Sequence, residues 1–196
     1  MMVIHKIGIV PLAMMRSEDG RLRMHVLIHK PKPKDGSTTD IAYGLARGTR
    51  MYFDAQTNAW HDARDQATAE MHSEHLEAPA ETAKREMGEE LDVKLEEFID
   101  GQLQDMGVIH YESKQRASYP IHWFSGLVEN PKKERAPVDA VAVKWVSLEQ
   151  LRAMTESGEF KASYLPIVQA VMEKMELRVD RNKISACAKT TGHRII

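Results

Sequence analysis

Three glutamates, Glu86, Glu89 and Glu90, stand at i, i+3 and i+4. On a helix that spacing puts them on one face, with Cβ atoms about 5–6 Å apart. Like charges so placed repel, so a folded chain must either leave them exposed or supply a counter-charge. Mg²⁺ suits the second case. It is a hard cation that takes oxygen ligands, keeps several waters and commonly bridges protein carboxylates to substrate phosphates. The residue types thus point to metal-assisted phosphoryl chemistry rather than to zinc. The same glutamates also fit a plain solvated face, since glutamate is a good helix former.

The wider pattern favours the chemistry. Glu77 is followed by seven residues and then by Arg85-Glu86-Met87-Gly88-Glu89-Glu90-Leu91-Asp92-Val93. This stretch resembles the signature of Nudix hydrolases, G-x(5)-E-x(7)-R-E-U-x-E-E-x-G-U with U apolar. Glu77, Arg85, Glu86, Glu89 and Glu90 match its fixed positions, and Met87 and Val93 its apolar ones. Asp92 departs from it, standing where the family has glycine. The first glycine is displaced too, because Met71 lies six residues before Glu77. Upstream, Tyr43-Gly44-Leu45-Ala46-Arg47-Gly48 resembles the family's aromatic-Gly-Leu-Pro-Lys-Gly lead-in, which makes Gly48 the displaced glycine. The interval 49–76 then holds 28 residues where the family has five, an insertion ahead of the acidic helix. Residues 141–148 and the EQLRAM that follows also resemble the fold's late strand and helix start. The likeness spans roughly residues 3–155, and only the acidic motif within it is specific.

The resemblance implies hydrolysis of a nucleoside diphosphate linked to another moiety, with water attacking phosphorus and Mg²⁺ or Mn²⁺ as cofactor. Carried over residue by residue, Glu86, Glu89 and Glu90 would ligate metal, with Gly48 offering a backbone carbonyl. Glu86 or Glu90 would be the general base. Arg85 would pair with Glu77 and hold loop to helix. Asp139, six residues before Trp145, is a candidate further metal ligand, with Glu134 behind it. Arg47 and Arg50 flank Gly48 and are candidates to grip substrate phosphate. The alternative is a non-catalytic sensor or interaction module on the same fold, although such domains typically lose motif carboxylates and this chain keeps all three. An isomerase relative would need a cysteine near the site, and the lone Cys187 lies far along the chain.

Other residues admit two readings each. Tyr52, Phe53 and Trp60 could stack on a base or pin the insertion to the domain. His72 and His75, at i, i+3 with His61 nearby, lack an evident third zinc ligand. Lys132, Lys133 and Arg135 could touch phosphate or be solvated.

These residues need elements to position them. Val3–Met15 and Arg21–Lys30 read as an antiparallel strand pair turning at Gly20, and 31–40 as an exposed loop. Ile41–Gly48 reads as a short strand ending in a tight loop. Residues 49–62 suggest a hairpin with 55–58 as its turn, and the stretch after it a loose helix. Ala80, Ala83, Met87 and Leu91 give the helix at 77–92 one apolar stripe, with Pro79 in its first turn. Strands are expected at 103–111, 119–128 and 141–146, and helices at 148–155 and 164–176. The expected class is α/β (α+β), a mixed sheet sandwiched between helices. It forms one domain over 1–178, followed by a polar tail at 179–196.

The chain has 196 residues, enough for a core without disulfides. With 27 Lys+Arg against 29 Asp+Glu, the net charge of −2 removes the usual reason to expect bulk binding to nucleic acid or an anionic membrane. The expected partner is a small nucleotide diphosphate derivative. A homodimer is open, since dimerisation is common among such relatives. No apolar run reaches the length of a span, and His5, Lys6 and Pro11 interrupt the apolar N-terminal stretch. A cytoplasmic location is expected.

Overall fold

The β-branched run near the N-terminus forms β1 (Lys6–Arg16), whose alternating side chains serve two cores. Ile7, Ile9 and Ala13 enter one, and Val10 and Leu12 the other. The computed structural model describes residues 3–17, 19–33, 41–113, 116–132, 135 and 137–190. Most of the expected loop at 31–40, together with Lys133 and Glu134, lies outside the described residues.

One edge of β1 is shared. Leu12–Arg16 pair antiparallel with β2 (Leu22–Pro31), while Lys6–Ile9 pair with β3 (Ala46–Thr49). Pro11 falls between the two pairings, where a residue without an N–H costs least. The other edge runs parallel to β7 (Arg116–Leu127), which pairs antiparallel with β6 (Gln104–Ser113). β2 carries β8 (Ala140–Ser147) on its far side, giving the order β6-β7-β1-β2-β8 with β3 beside β1. The sheet is therefore mixed.

The strand expected at 41–48 is shorter than its sequence suggests. Tyr43 and Gly44 make only single bridges, to Phe160 and His29, because this segment divides its hydrogen bonds between two neighbours. The insertion opens with a hairpin, β4 (Met51–Asp54) and β5 (Ala59–Asp62), followed by α1 (Gln66–Met71). Asp65 caps α1 by accepting from the Thr68 N–H at 2.8 Å.

The acidic helix, α2 (Pro79–Leu91), begins two residues later than Glu77, with proline in its first turn. It buries Ala83, Met87 and Leu91 against Ile7, Ile9 and Phe124. It ends in a Schellman arrangement. The N–H of Asp92 donates to Gly88 O and that of Val93 to Met87 O, with Asp92 at φ 52° and ψ 45°. The opposite face of the sheet is covered by α3 (Leu148–Glu156) and α4 (Leu165–Thr190). α4 buries Ile167, Val168, Val171, Met172 and Met175 around Trp123 and Tyr164. Its helical backbone runs on to Thr190, into the polar stretch that begins at 179. Among the described residues no helix is long and apolar enough to cross a membrane.

Candidate active site

α2 presents Glu86 and Glu90 to a cavity of about 970 Å³, which Gly48, Arg47 and Asp139 also line. Glu86 is only 8% exposed and lies against the main chain of Gly48. A Cβ built on Gly48 would come 1.7 Å from Glu86 Oε1, so no residue larger than glycine fits without moving the carboxylate. Burial raises the Glu86 pKa, opposed by the adjacent Arg85. Glu90 Oε2 accepts from the Arg47 N–H at 2.8 Å, which ties β3 to α2. Burial is the main cause that pushes the Glu90 carboxyl up to about 8, with the charge of Glu86 adding to it.

Arg85 gathers the acids. Its Nη2 donates to Glu77 Oε2 at 3.2 Å and to Thr49 O at 3.0 Å. Its Nη1 is 2.6 Å from Glu86 Oε1 and 3.2 Å from Glu89 Oε2. Burial alone would lower the Arg85 pKa, but its bonds to Glu77 and Glu86 outweigh that and hold it charged. Glu77, ahead of the helix, also accepts from Thr82 Oγ1 at 2.9 Å. Asp139 is exposed at the rim, with its N–H donating to Glu89 O at 3.0 Å.

Not every residue singled out by sequence reaches the cavity. Glu89 stands beside Glu86 on Arg85 but does not line it. Arg50, the other candidate for gripping phosphate, does not line the cavity either. Its Nε donates to Glu77 O at 2.6 Å and its Nη1 to Ile4 O at 3.1 Å, carbonyls that would otherwise lose water without replacement. Tyr52 stacks on His72 with ring centroids 3.8 Å apart, and Phe53 meets Trp60 edge-on, so these aromatics pack within the insertion. Arg135 is not a solvated cation either. Its side chain is fully buried, 3.0 Å from Glu97 Oε2 and donating to Asp92 O. The insertion still reaches the site, because Asp62, Arg64, Asp65 and Gln66 form part of the cavity wall.

Three contributors were missed. His29 projects from β2 with Nε2 3.8 Å from Glu90 Oε2, and its buried Nδ1 has no hydrogen-bond partner. Burial, reinforced by the charges of Lys161 and Arg47, lowers its pKa to about 4, so the ring is neutral. Strand periodicity could have found it, since His25, Leu27 and His29 share the face opposite Met24, Val26 and Ile28. Lys161 and Tyr164 also line the cavity, and nothing in the local sequence marks them.

Among the described residues no three acidic, histidine or cysteine side chains converge as a ready cage for a metal ion. Glu86 and Glu89 close on Arg85 instead. The donor set nevertheless suits a hard divalent cation. It places two carboxylates, the buried Glu86 and the half-buried Glu90, one helical turn apart, and brings Gly48 main chain close to Glu86.

Residues 72–166 match the family model of the NUDIX domain. A search of curated proteins by sequence gives no match. Similar solved structures include the NUDIX domain of Shewanella oneidensis NrtR complexed with ADP ribose, with TM-score 0.55 and 14% identity over 88% of each chain. A C. elegans Ap4A hydrolase binary complex has TM-score 0.51 and 15% identity, covering 89% of this chain and 98% of that one. The Nudix hydrolase RenU from M. smegmatis has TM-score 0.53 and 14% identity, covering 89% and 86%. At these identities the likeness is one of fold. With the motif on α2 and the family match over the segment that contains it, the chain carries a NUDIX domain over residues 72–166.

Proposed function

We propose that this chain is a divalent-metal-dependent hydrolase that cleaves the pyrophosphate linkage of a nucleoside diphosphate derivative, with water attacking phosphorus. The observation that carries the reading is the placement of Glu86 and Glu90 on one face of α2, lining a cavity together with Gly48.

Glu86, Glu89 and Glu90, with the Gly48 carbonyl and Asp139, would hold Mg²⁺ or Mn²⁺. Such an ion, when bound, neutralises phosphate charge and lowers the pKa of bound water. The protein supplies the rest. Glu86 or Glu90 takes the proton from the attacking water. Arg85, fixed by Glu77 and Thr49 O, keeps the carboxylates on one side of α2. Arg47 lines the cavity with a planar guanidinium suited to phosphate oxygens. His29, neutral and beside Glu90, adds no positive charge that would repel a cation there.

Incubation of ADP-ribose and diadenosine polyphosphates with Mg²⁺ or Mn²⁺, with products identified by mass spectrometry, tests the reading. Cleavage at a phosphoanhydride, abolished by chelator, is the expected result. Tight binding by calorimetry without product would replace it with a sensor.

A further inference from the structure

His29 is a buried polar side chain with little to compensate its burial. It is 4% exposed, and among the described residues its Nδ1 has no hydrogen-bond partner. Such atoms are rare in folded proteins, because a polar group taken from water without a partner costs stability. The main chain fixes where the ring stands. His29 lies opposite Val143 of β8. On its other side its N–H donates to Gly44 O at 3.1 Å, and its carbonyl accepts from the Gly44 N–H at 2.9 Å. Alternation along β2 turns the side chain to the α2 face with Leu27, which packs in the core beneath that helix. Burial keeps the ring unprotonated, against the pull of the Leu45 main chain beside it.

The second ring nitrogen faces Glu90. Nε2 is 3.8 Å from Glu90 Oε2, and both residues line the cavity with Gly48 and Asp139. That separation is too long for a hydrogen bond. It is within the span of one metal ion, since two bonds of about 2.1 Å reach across at most about 4.2 Å. Glu90 Oε2 is itself held by the Arg47 N–H at 2.8 Å, so main chain sets both donors. The charges of Glu86 and Asp139 also act on Glu90, and a divalent cation relieves that repulsion. Two donors are not a closed cage, and water and substrate oxygens would complete the shell. An imidazole changes which ion is preferred. Mg²⁺ is a hard ion that takes oxygen ligands, whereas imidazole favours first-row transition ions.

We infer that His29 Nε2 and Glu90 hold one divalent ion between them, and that this nitrogen makes the site prefer Mn²⁺ to Mg²⁺. The inference rests on the metal-dependent reading above and chooses between its two ions.

Pulsed electron paramagnetic resonance of Mn²⁺ added to the full, chelator-treated chain tests this without turnover. Coupling of the Mn²⁺ spin to an imidazole nitrogen is the expected result, with Mn²⁺ bound more tightly than Mg²⁺ in competition. Bound Mn²⁺ without that coupling would overturn the inference and leave metal dependence standing. No bound Mn²⁺ at all would remove both. His29→Phe keeps a ring, and His29→Gln serves should the first variant fail to fold. In either, the coupling should vanish and the Mn²⁺ Kd rise about tenfold or more, since losing even an outer partner of a ligand costs about that much. The Mg²⁺ Kd should change little. Coupling that survives in the variants would assign the nitrogen to another histidine, and equal losses for both ions would leave His29 a structural role; either result overturns the inference.

Discussion

Glu90 is a carboxylate whose fold works against its charge. Most of its surface is withdrawn from water, and the hydrogen bond from the Arg47 N–H does not compensate. Glu90→Gln keeps the shape and an acceptor for that N–H while removing the charge. If Glu90 is the general base, turnover falls by roughly 10²–10⁴-fold. Because a neutral amide is easier to bury, the metal-free Tm should be unchanged or raised. Addition of Mg²⁺ or Mn²⁺ stabilises whichever state binds it, so the wild-type Tm should rise with ion concentration and the variant's much less. A Tm rise as large in Glu90→Gln would remove Glu90 from the ligand set. Gly48→Ala probes the same place from the other side. Its Cβ overlaps the Glu86 carboxylate, so either the carboxylate or β3 must move. Activity should fall at least tenfold, since displacements near 1 Å cost about that much or more. Wild-type rates in Gly48→Ala would show that this contact does not position Glu86.

α2 is tied to groups outside it. Arg85, midway along the helix, joins Glu77 and Thr49 O ahead of it to Glu86 and Glu89 on it. Arg85→Met leaves those acids without their shared cation and should destabilise the metal-free protein by about 3 kcal/mol, read by urea unfolding. At the end, Asp92 is held in the left-handed region that the family gives to glycine. Asp92→Gly and Asp92→Ala both delete the side chain, so their difference isolates backbone strain. Glycine should be the more stable by about 1 kcal/mol, and equal stabilities would show that the strain is absent. Much of this was legible from sequence, because helical period, motif spacing and the Pro79 signal all act locally. The shared face of Glu86 and Glu90 and the β1–β2 hairpin needed only local signals. The places of Lys161 and His29 and the contacts of Arg50 depend on which segments the sheet brings together. Arg50 illustrates the point: beside Gly48 in sequence, it is diverted to Ile4 and Glu77 carbonyls by the closing of the insertion. The continuation of α4 past residue 178 was hidden because its polar composition carries no apolar stripe.

At the scale of the whole molecule, the segment entering β8 is fastened across the end of α2, and this sets where Asp139 lies. Arg135 donates to Asp92 O and to both Glu97 carboxylate oxygens, Trp145 Nε1 donates to Lys132 O at 3.0 Å, and the Asp139 N–H reaches Glu89 O. The fastening depends on pH. Burial alone would raise the Glu97 pKa, but hydrogen bonds from Arg135 and the Lys94 N–H, with the charges of Arg135 and Lys132, outweigh it and hold the carboxyl below its ordinary 4.5. A carboxyl lowered in the fold binds protons more weakly there than in the unfolded chain. Its contribution is therefore present above the unfolded value and lost as pH falls through the folded one. Wild-type stability should drop between about pH 5 and pH 3, where Asp19, Asp54, Asp65 and Asp105, also held below their ordinary range by hydrogen bonds, add to the loss. In Glu97→Gln the drop should be shallower, with the two proteins differing most near neutrality and converging in acid. Urea titrations at successive pH values measure both curves. Parallel curves across that range would mean that Glu97 and Arg135 touch without coupling, and that the position of Asp139 is set by the sheet alone.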